Sequence, residues 1–230
     1  MNNKKKYYIF SLDMMFLNVF SFILLFLVIG LTILIDKDFL ITSVIYVFAK
    51  ERLFKTFILV IGYLMLHEIL HSIGYYLYGA KYKNIVYGIE LEKGIFYCLC
   101  KENIKKKNIM NSLMFPLFYI GILTYICSFM FENYYLLILS IFNISGCVGD
   151  IFTFIFMTKL DKNIEFSEFD DTTSFAIYTD KDISKNKYLG LKYLGIKNKL
   201  IKKEYTKIKI SKWSYIILSV LFIISLITIF

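Results

Sequence analysis

The sequence predicts a mainly α, polytopic membrane protein with about five transmembrane helices and a small membrane-associated β-hairpin. Three observations predict it. Of the 230 residues, 58% are apolar, more than one water-soluble core of this size can hide. Several of the apolar runs reach the roughly 20 residues that cross a bilayer as a helix. The 27 basic residues, against 18 acidic ones, gather between those runs rather than within them. The resulting net charge of +9 would suit nucleic acid only on an exposed basic face, which the apolar spans do not leave. No nucleic acid is expected, and the lipid bilayer with its anionic surface is the expected partner.

The first span is 14–35, a run of 22 residues without a charge that follows Lys4, Lys5 and Lys6. It begins like a signal peptide but has no small-residue cleavage site behind it, so it reads as an uncleaved anchor. The run 39–48 is too short to cross and is expected to re-enter the membrane or lie at its interface. A second span, 56–78, is apolar except for His67, Glu68 and His71. Residues 84–100 read as a hairpin: Ile85, Tyr87 and Ile89 alternate, Glu92-Lys93-Gly94 has turn chemistry, and 95–100 returns. The third span, 109–131, carries Pro116, whose missing backbone donor bends the helix, either as a packing kink or as a gate. The fourth, 134–158, is interrupted by one acid, Asp150. Residues 161–212 run from an acidic half (Glu165, Glu168, Asp170, Asp171) to a basic half ending Lys202-Lys203-Glu204, and read as a small extension resting partly on lipid. A last span, 213–230, opens on Trp213 beside Lys212, an interfacial anchor. The expected organisation is a membrane core over 1–160, the extension over 161–212 and a terminal helix.

Lysine and arginine number 3 before the first span, 4 after it, 7 between the second and third, none between the third and fourth, and 13 in 159–212. Lysine is costly to translocate and is drawn to the anionic inner leaflet, so a cytoplasmic N-terminus is expected, with only the four-charge loop on the wrong side. The localisation this implies is a multi-pass protein of a cell membrane. Lys, Ile, Asn, Tyr and Phe abound beside a single arginine, Arg52, a bias expected of an AT-rich bacterial genome. Cys98, Cys100, Cys127 and Cys147 make no disulfide framework, because two lie in spans and the other two are one residue apart.

The chemistry concentrates in five residues. The chain's two histidines stand four apart, as His67-Glu68-Ile69-Leu70-His71. On a helix that spacing puts both imidazoles on one face, a turn apart, with the glutamate alongside. Zinc takes imidazole nitrogen readily, and a catalytic site has three protein ligands and one open position. Glu68 would then act as general base, taking a proton from a water acidified by the cation and passing it to a leaving amine. Each ionisable group inside a bilayer costs on the order of 2–3 kcal/mol, so three within five residues call for a compensating partner, and a metal is one. The alternative is that the histidines hydrogen-bond to another helix while Glu68 is protonated or exposed at the edge.

With no third histidine, the third ligand must be an acid from another span, and Asp150 in Ser145-Gly146-Cys147-Val148-Gly149-Asp150 is the candidate. Gly146 and Gly149 are expected to permit close helix approach there. Asn143, seven residues earlier, falls on the same face of a continuous helix, where it would hold a ligand in place or donate to substrate. The other reading of Asp150 is a buried structural carboxylate paired with a lysine.

The helix over 63–79 with its His-Glu-x-x-His followed by Gly74 and Gly79, the hairpin ending in an aromatic and cysteine segment, Pro116, and Ser145-Gly146 to Gly149-Asp150 together resemble the family named "putative zincin peptidase". That is a domain-of-unknown-function family of small bacterial membrane proteins similar to site-2 proteases. The likeness runs over about 61–178, and includes Phe169-Asp170-Asp171 with Phe175 and Tyr178. It implies zinc ligation by His67, His71 and Asp150 and a general base at Glu68. Asp150 departs from the better-known site-2 proteases in lacking their Asn-Pro-Asp-Gly surroundings.

Two functions are compatible with this reading. One is an integral-membrane zinc metalloprotease acting on a membrane-associated protein or a peptide, with the substrate held extended against 84–90 or 95–100 by strand pairing; the hairpin's other use is to cover helix ends. The second is a non-catalytic membrane protein, in peptide immunity or as a transport accessory, with a structural or vestigial metal site. An intact Glu68 and an open coordination position favour the first, since structural zinc normally has four protein ligands.

Overall fold

A computed structural model describes residues 5–90, 95–168, 173–184, 188–198, 208–209 and 211. Its helices are α1 (Met14–Val47), α2 (Leu53–Leu77), α3 (Lys106–Pro116), a π-helical segment (Leu117–Ile122), α4 (Leu123–Met130), α5 (Tyr134–Gly146) and α6 (Val148–Thr158). Among the described residues three helices are long and apolar enough to cross a membrane, Met14–Val47, Lys50–Leu77 and Lys106–Met130, and a fourth if the bent pair α5 and α6 counts as one. These correspond to the four spans expected before residue 160. The expected fifth, 213–230 with Trp213, lies outside the described residues, as do the hairpin turn at Glu92-Lys93-Gly94, the Phe169-Asp170-Asp171 segment and Lys202-Lys203-Glu204.

The chain divides into two compact units, one of Met1–Asn18, His71–Met114 and Gly149–Ile210, the other of Val19–Leu70, Phe115–Val148 and Ser211–Phe230. The described residues of the second unit are mainly helical. In it the short apolar run 39–48 falls in a second helical stretch, ending at Val47, that a kink at the non-helical residue Asp36 (φ −157°, ψ 95°) separates from the first. Asp36 Oδ1 accepts from the Phe39 amide at 2.8 Å, the geometry of an N-cap, so the carboxylate restarts the helix that its own backbone interrupts. Val28 and Leu40, from either side of the break, share a buried cluster with Tyr125, Leu137 and Ile141. The Thr56 hydroxyl donates to Val47 O at 2.7 Å and the Arg52 guanidinium lies 3.6 Å from the centre of the Tyr46 ring, which closes the turn from α1 into α2. Several polar side chains in these helices are paired within the bundle: Tyr63 Oη donates to Ile120 O at 2.6 Å, and Thr32 Oγ1 meets Tyr125 Oη at 2.8 Å. Such pairing is what hydrocarbon demands. Outward-facing positions are apolar instead, with Phe22, Phe26 and Leu34 well exposed.

The first unit carries the sheets. The expected hairpin is present as β2 (Ile85–Glu90) against β3 (Ile95–Cys100), in the register Ile85↔Cys100 to Glu90↔Ile95. It is not alone, because β8 (Ile208–Lys209) adds to the other side of β2. A five-stranded antiparallel sheet, ordered β4-β5-β6-β1-β7, was not foreseen. It joins β4 (Ile104–Lys105), β5 (Glu165–Glu168), β6 (Ser174–Thr179) and β7 (Leu191–Lys197) to β1 (Lys6–Leu12). The residues Tyr7 to Leu12, which read as the lead-in to a membrane anchor, thus form an inner strand. Phe10 anchors it, with its ring centre 5.1 Å from that of Phe156 and 5.5 Å from that of Tyr193. Where the strand ends, Asp13 Oδ1 accepts from Met15 N and Phe16 N at 3.1 and 3.3 Å and caps α1. Lys192 reaches the other Asp13 oxygen at 2.8 Å, and that hydrogen bond leads the causes that hold this carboxyl below its ordinary range.

Phe10 is 1% exposed, so Phe10→Ala is expected to destabilise the sheet by roughly 3–5 kcal/mol. Phe22→Ala, at a site 62% exposed, is expected to stay within about 0.5 kcal/mol of wild type. Denaturant unfolding of the full chain in detergent micelles measures both.

Candidate metal centre

Helix α2 is unbroken from Leu53 to Leu77, so His67 and His71 stand one turn apart on one face, with Glu68 half-buried beside them. His71 is buried. Its Nδ1 lies 3.1 Å from Ser112 O. A carbonyl oxygen can only accept, so Nδ1 carries a proton, and in the neutral ring Nε2 is then the nitrogen with the lone pair. That Nε2 faces Asp150 Oδ1 at 3.4 Å. His67 Nδ1 lies 2.9 Å from Asn143 Oδ1. The amide is turned that way because Asn143 Nδ2 donates to Pro116 O at 3.1 Å, so His67 Nδ1 also carries a proton, and in the neutral ring its Nε2 is the nitrogen with the lone pair. One ligand atom from each of His67, His71 and Asp150 lies within 4.8 Å of the other two.

The acid reaches this position because the fourth span is not one helix. α5 ends at Gly146, Cys147 leaves helical geometry with ψ near 6°, and α6 starts again at Val148 with a bend of 42°. Asp150 therefore sits in the first turn of α6, where the unpaired amides and the positive end of the helix dipole favour a carboxylate. The expectation that Asn143 and Asp150 share a face of one helix is corrected: they lie on different helices, Asn143 in α5 against His67 Nδ1 and Asp150 in α6 against His71 Nε2.

Nor do Gly146 and Gly149 serve as the close contacts. A Cβ on Gly146 would meet nothing within 4 Å, and one on Gly149 only the ends of leucine side chains at 3.9 Å and beyond. Beside the histidines and Asn143 the tight positions are Gly74 and Gly121. A Cβ on Gly74 would come within 2.6 Å of Ser112 Oγ and 2.8 Å of its Cα, so its absence lets α3 approach until Ser112 O meets His71 and Ser112 Oγ donates to His71 O at 2.8 Å. A Cβ on Gly121 would fall 3.0 Å from Ile144 Cγ1 and 3.3 Å from Asn143 Nδ2, in the space the Asn143 amide uses. Ser112, Pro116 and Gly121 are the site-building residues the sequence reading did not single out as such. The available signal was the chain's one proline placed four residues after Ser112.

The donor set suits zinc. Two ligands about 2.05 Å from a tetrahedral zinc are about 3.3 Å apart, and His71 Nε2 and Asp150 Oδ1 are separated by 3.4 Å. Among the described residues the group is two imidazoles with Nδ1–H donors and one carboxylate, a set of three such as zinc sites with an open position use. Residues 60–165 match the family model described as "putative zincin peptidase". The matched stretch contains His67, Glu68, His71, Asn143 and Asp150 and ends at the start of β5. No curated protein and no solved structure matches the chain.

Gly74→Ala is expected to cost about 1–3 kcal/mol by forcing α2 and α3 apart at Ser112. Gly146→Ala, with open space around its Cβ, is expected to be neutral or slightly stabilising. Thermal unfolding of the two metal-free proteins, side by side, measures the difference.

Proposed function

We propose that this protein is an integral-membrane zinc metallopeptidase, site-2-protease-like, that hydrolyses a peptide bond of a membrane-associated protein or peptide at or near the bilayer. The observation that carries the reading is the convergence of His67, His71 and Asp150 in helices apolar enough to cross a membrane, around the motif His67-Glu68-Ile69-Leu70-His71. A zinc ion bound there would supply an acidified water and polarise the scissile carbonyl.

The chain's own residues supply the rest. Glu68, half-buried beside the ligands, takes the proton as the new C–O bond forms and returns it to the departing amine nitrogen as the C–N bond breaks. Ser112 O and Asn143 Oδ1 hold the two imidazoles so that Nε2 of each is the ligating atom. Asn143 is therefore assigned to holding His67 rather than to donating to substrate, since its Oδ1 and Nδ2 are both engaged. A helical substrate has its backbone already paired, so it must be unwound before attack. Strand pairing would hold it extended, with β3 the outer strand of the order β3-β2-β8 as the template. The basic loops set the N-terminus on the cytoplasmic side of a bacterial cell membrane.

The test is zinc content and cleavage of co-expressed membrane peptides for wild type, Glu68→Gln and Asp150→Ala. Glu68→Gln is expected to retain about one zinc per chain while cleavage falls at least ~100-fold. Asp150→Ala is expected to lose most of the metal. Cleavage retained in Glu68→Gln, or a wild type free of zinc after zinc-replete preparation, would overturn the proposal.

A further inference from the structure

The third membrane helix carries the chain's one proline and, directly after it, a π-helical turn, Leu117–Ile122. Both features sit beside the acceptors that meet the two histidines. In an α-helix the Ser112 carbonyl would accept from the amide of residue 116. Proline has no amide hydrogen, so this oxygen lacks its helical donor in a segment apolar enough to lie in hydrocarbon, where an unpaired carbonyl is costly. The partner present is His71 Nδ1 at 3.1 Å. The Pro116 carbonyl accepts in turn from Asn143 Nδ2 at 3.1 Å, which leaves Asn143 Oδ1 no orientation but toward His67 Nδ1, 2.9 Å away.

We infer that Pro116 is a positioning residue that sets the tautomer of both histidines: through the Ser112 oxygen it leaves undonated it holds His71 as the Nδ1–H form, and through its own carbonyl and Asn143 it does the same for His67. The inference rests on the metal-site reading for its purpose, because it is the two Nε2 lone pairs that this arrangement reserves. Its geometry stands on the hydrogen bonds alone. A packing kink would need neither acceptor, and a gate would need a helix free to move, whereas here each side of the break is hydrogen-bonded to another helix. Gly74 and Gly121 belong to the same device, since a side chain at either position would intrude on Ser112 or Asn143.

The protein has two histidines, so ¹⁵N-histidine labelling of the full chain in micelles yields two imidazole spin systems. Measured metal-free at about pH 8.5, well above the ordinary imidazole value, long-range ¹H–¹⁵N correlations read the tautomer of each. Both are expected as Nδ1–H in wild type. Pro116→Ala restores an amide hydrogen that competes for Ser112 O, and is expected to move His71 toward a tautomer mixture and weaken zinc binding roughly 10-fold by chelator competition. Asn143→Leu is expected to release His67 only, with a zinc loss of roughly 10–100-fold, and Asn143→Asp, which keeps an oxygen acceptor, to restore the His67 tautomer. The Asn143 pair tests the device even if Pro116→Ala fails to fold. Nε2–H histidines in wild type, or unchanged tautomers in both folded Pro116→Ala and Asn143→Leu, would overturn the inference. Zinc bound with Nε2–H histidines would remove the device and leave the metal site, whereas Nδ1–H histidines in a protein that never binds zinc would do the reverse.

Discussion

A backbone carbonyl placed in hydrocarbon has to find a donor, and much of this site's construction follows from the one that Pro116 deprives. Within the candidate span Lys106–Met130, Ser112 O cannot be satisfied by its own helix, so satisfaction comes from the neighbouring one, by an imidazole N–H from α2. That single bond ties α3 to α2 at the depth of the histidines and fixes which ring nitrogen of His71 is basic. The cost of an unpaired group is of order several kcal/mol in lipid, far above the sub-kilocalorie to ~2 kcal/mol worth of an ordinary interhelical hydrogen bond. A polar contact that is modest as an attraction thereby becomes strongly directive, because the alternative to it is so poor.

Close approach is the second requirement, and it is met by what is missing. Lipid offers no hydrophobic drive between helices, so packing and hydrogen bonds must hold them, and both need backbones near one another. Gly74 lies three residues after His71 on α2, facing Ser112, and Gly121 lies in the π turn facing Asn143 and Ile144. In each case the vacated side-chain space is next to an atom that orients a histidine. The cavity-free contact at one glycine and the hydrogen bond beside it are the same structural feature seen twice. Ser112 contributes to both bonds at its position, accepting from His71 Nδ1 and donating from its hydroxyl to His71 O, so neither backbone nor ring of that ligand can rotate independently.

The spans, the histidine motif, the carboxylate that would join it and the hairpin were legible because each is written in a local pattern. A run of apolar residues long enough to cross, a four-residue spacing and a two-residue alternation all declare themselves within one window. The five-stranded sheet was not, for reasons its strands make plain. Tyr7–Leu12 is a short apolar run that abuts α1, and no periodicity separates a buried strand from the first turn of a membrane helix. Its partners β6 and β7 come from a stretch whose mixed charge reads as a solvated extension, and pairing at a distance of well over 150 residues leaves no local trace. The break between α5 and α6 was hidden as well, since Asn143 to Asp150 is apolar and small enough to continue one helix. With the break unseen, Asn143 and Asp150 were assigned to one face and the close contacts to the wrong glycines. Asp36 is the converse case: a charge was visible between two apolar runs, but not that its carboxylate caps the second and keeps it helical.

An acid in a membrane span is expensive, and the break explains how Asp150 can be kept there. It stands in the first turn of α6, where helix amides lack an intrahelical acceptor, and the aligned peptide dipoles favour its charge by roughly 0.3–1 kcal/mol, more where burial limits screening. That offsets only part of an insertion cost of about 2–3 kcal/mol. On the proposed reading the remainder is met by the cation itself. Two imidazoles that ligate through Nε2 are neutral, so a divalent ion with the carboxylates of Asp150 and Glu68 sums to zero, which is the arrangement a low-dielectric site tolerates best. A ligand set with a third histidine in place of Asp150 would leave the cluster positive beside Glu68 alone, and with both histidines already supplied by α2, a carboxylate at a helix N-terminus is the ligand that this solvent favours.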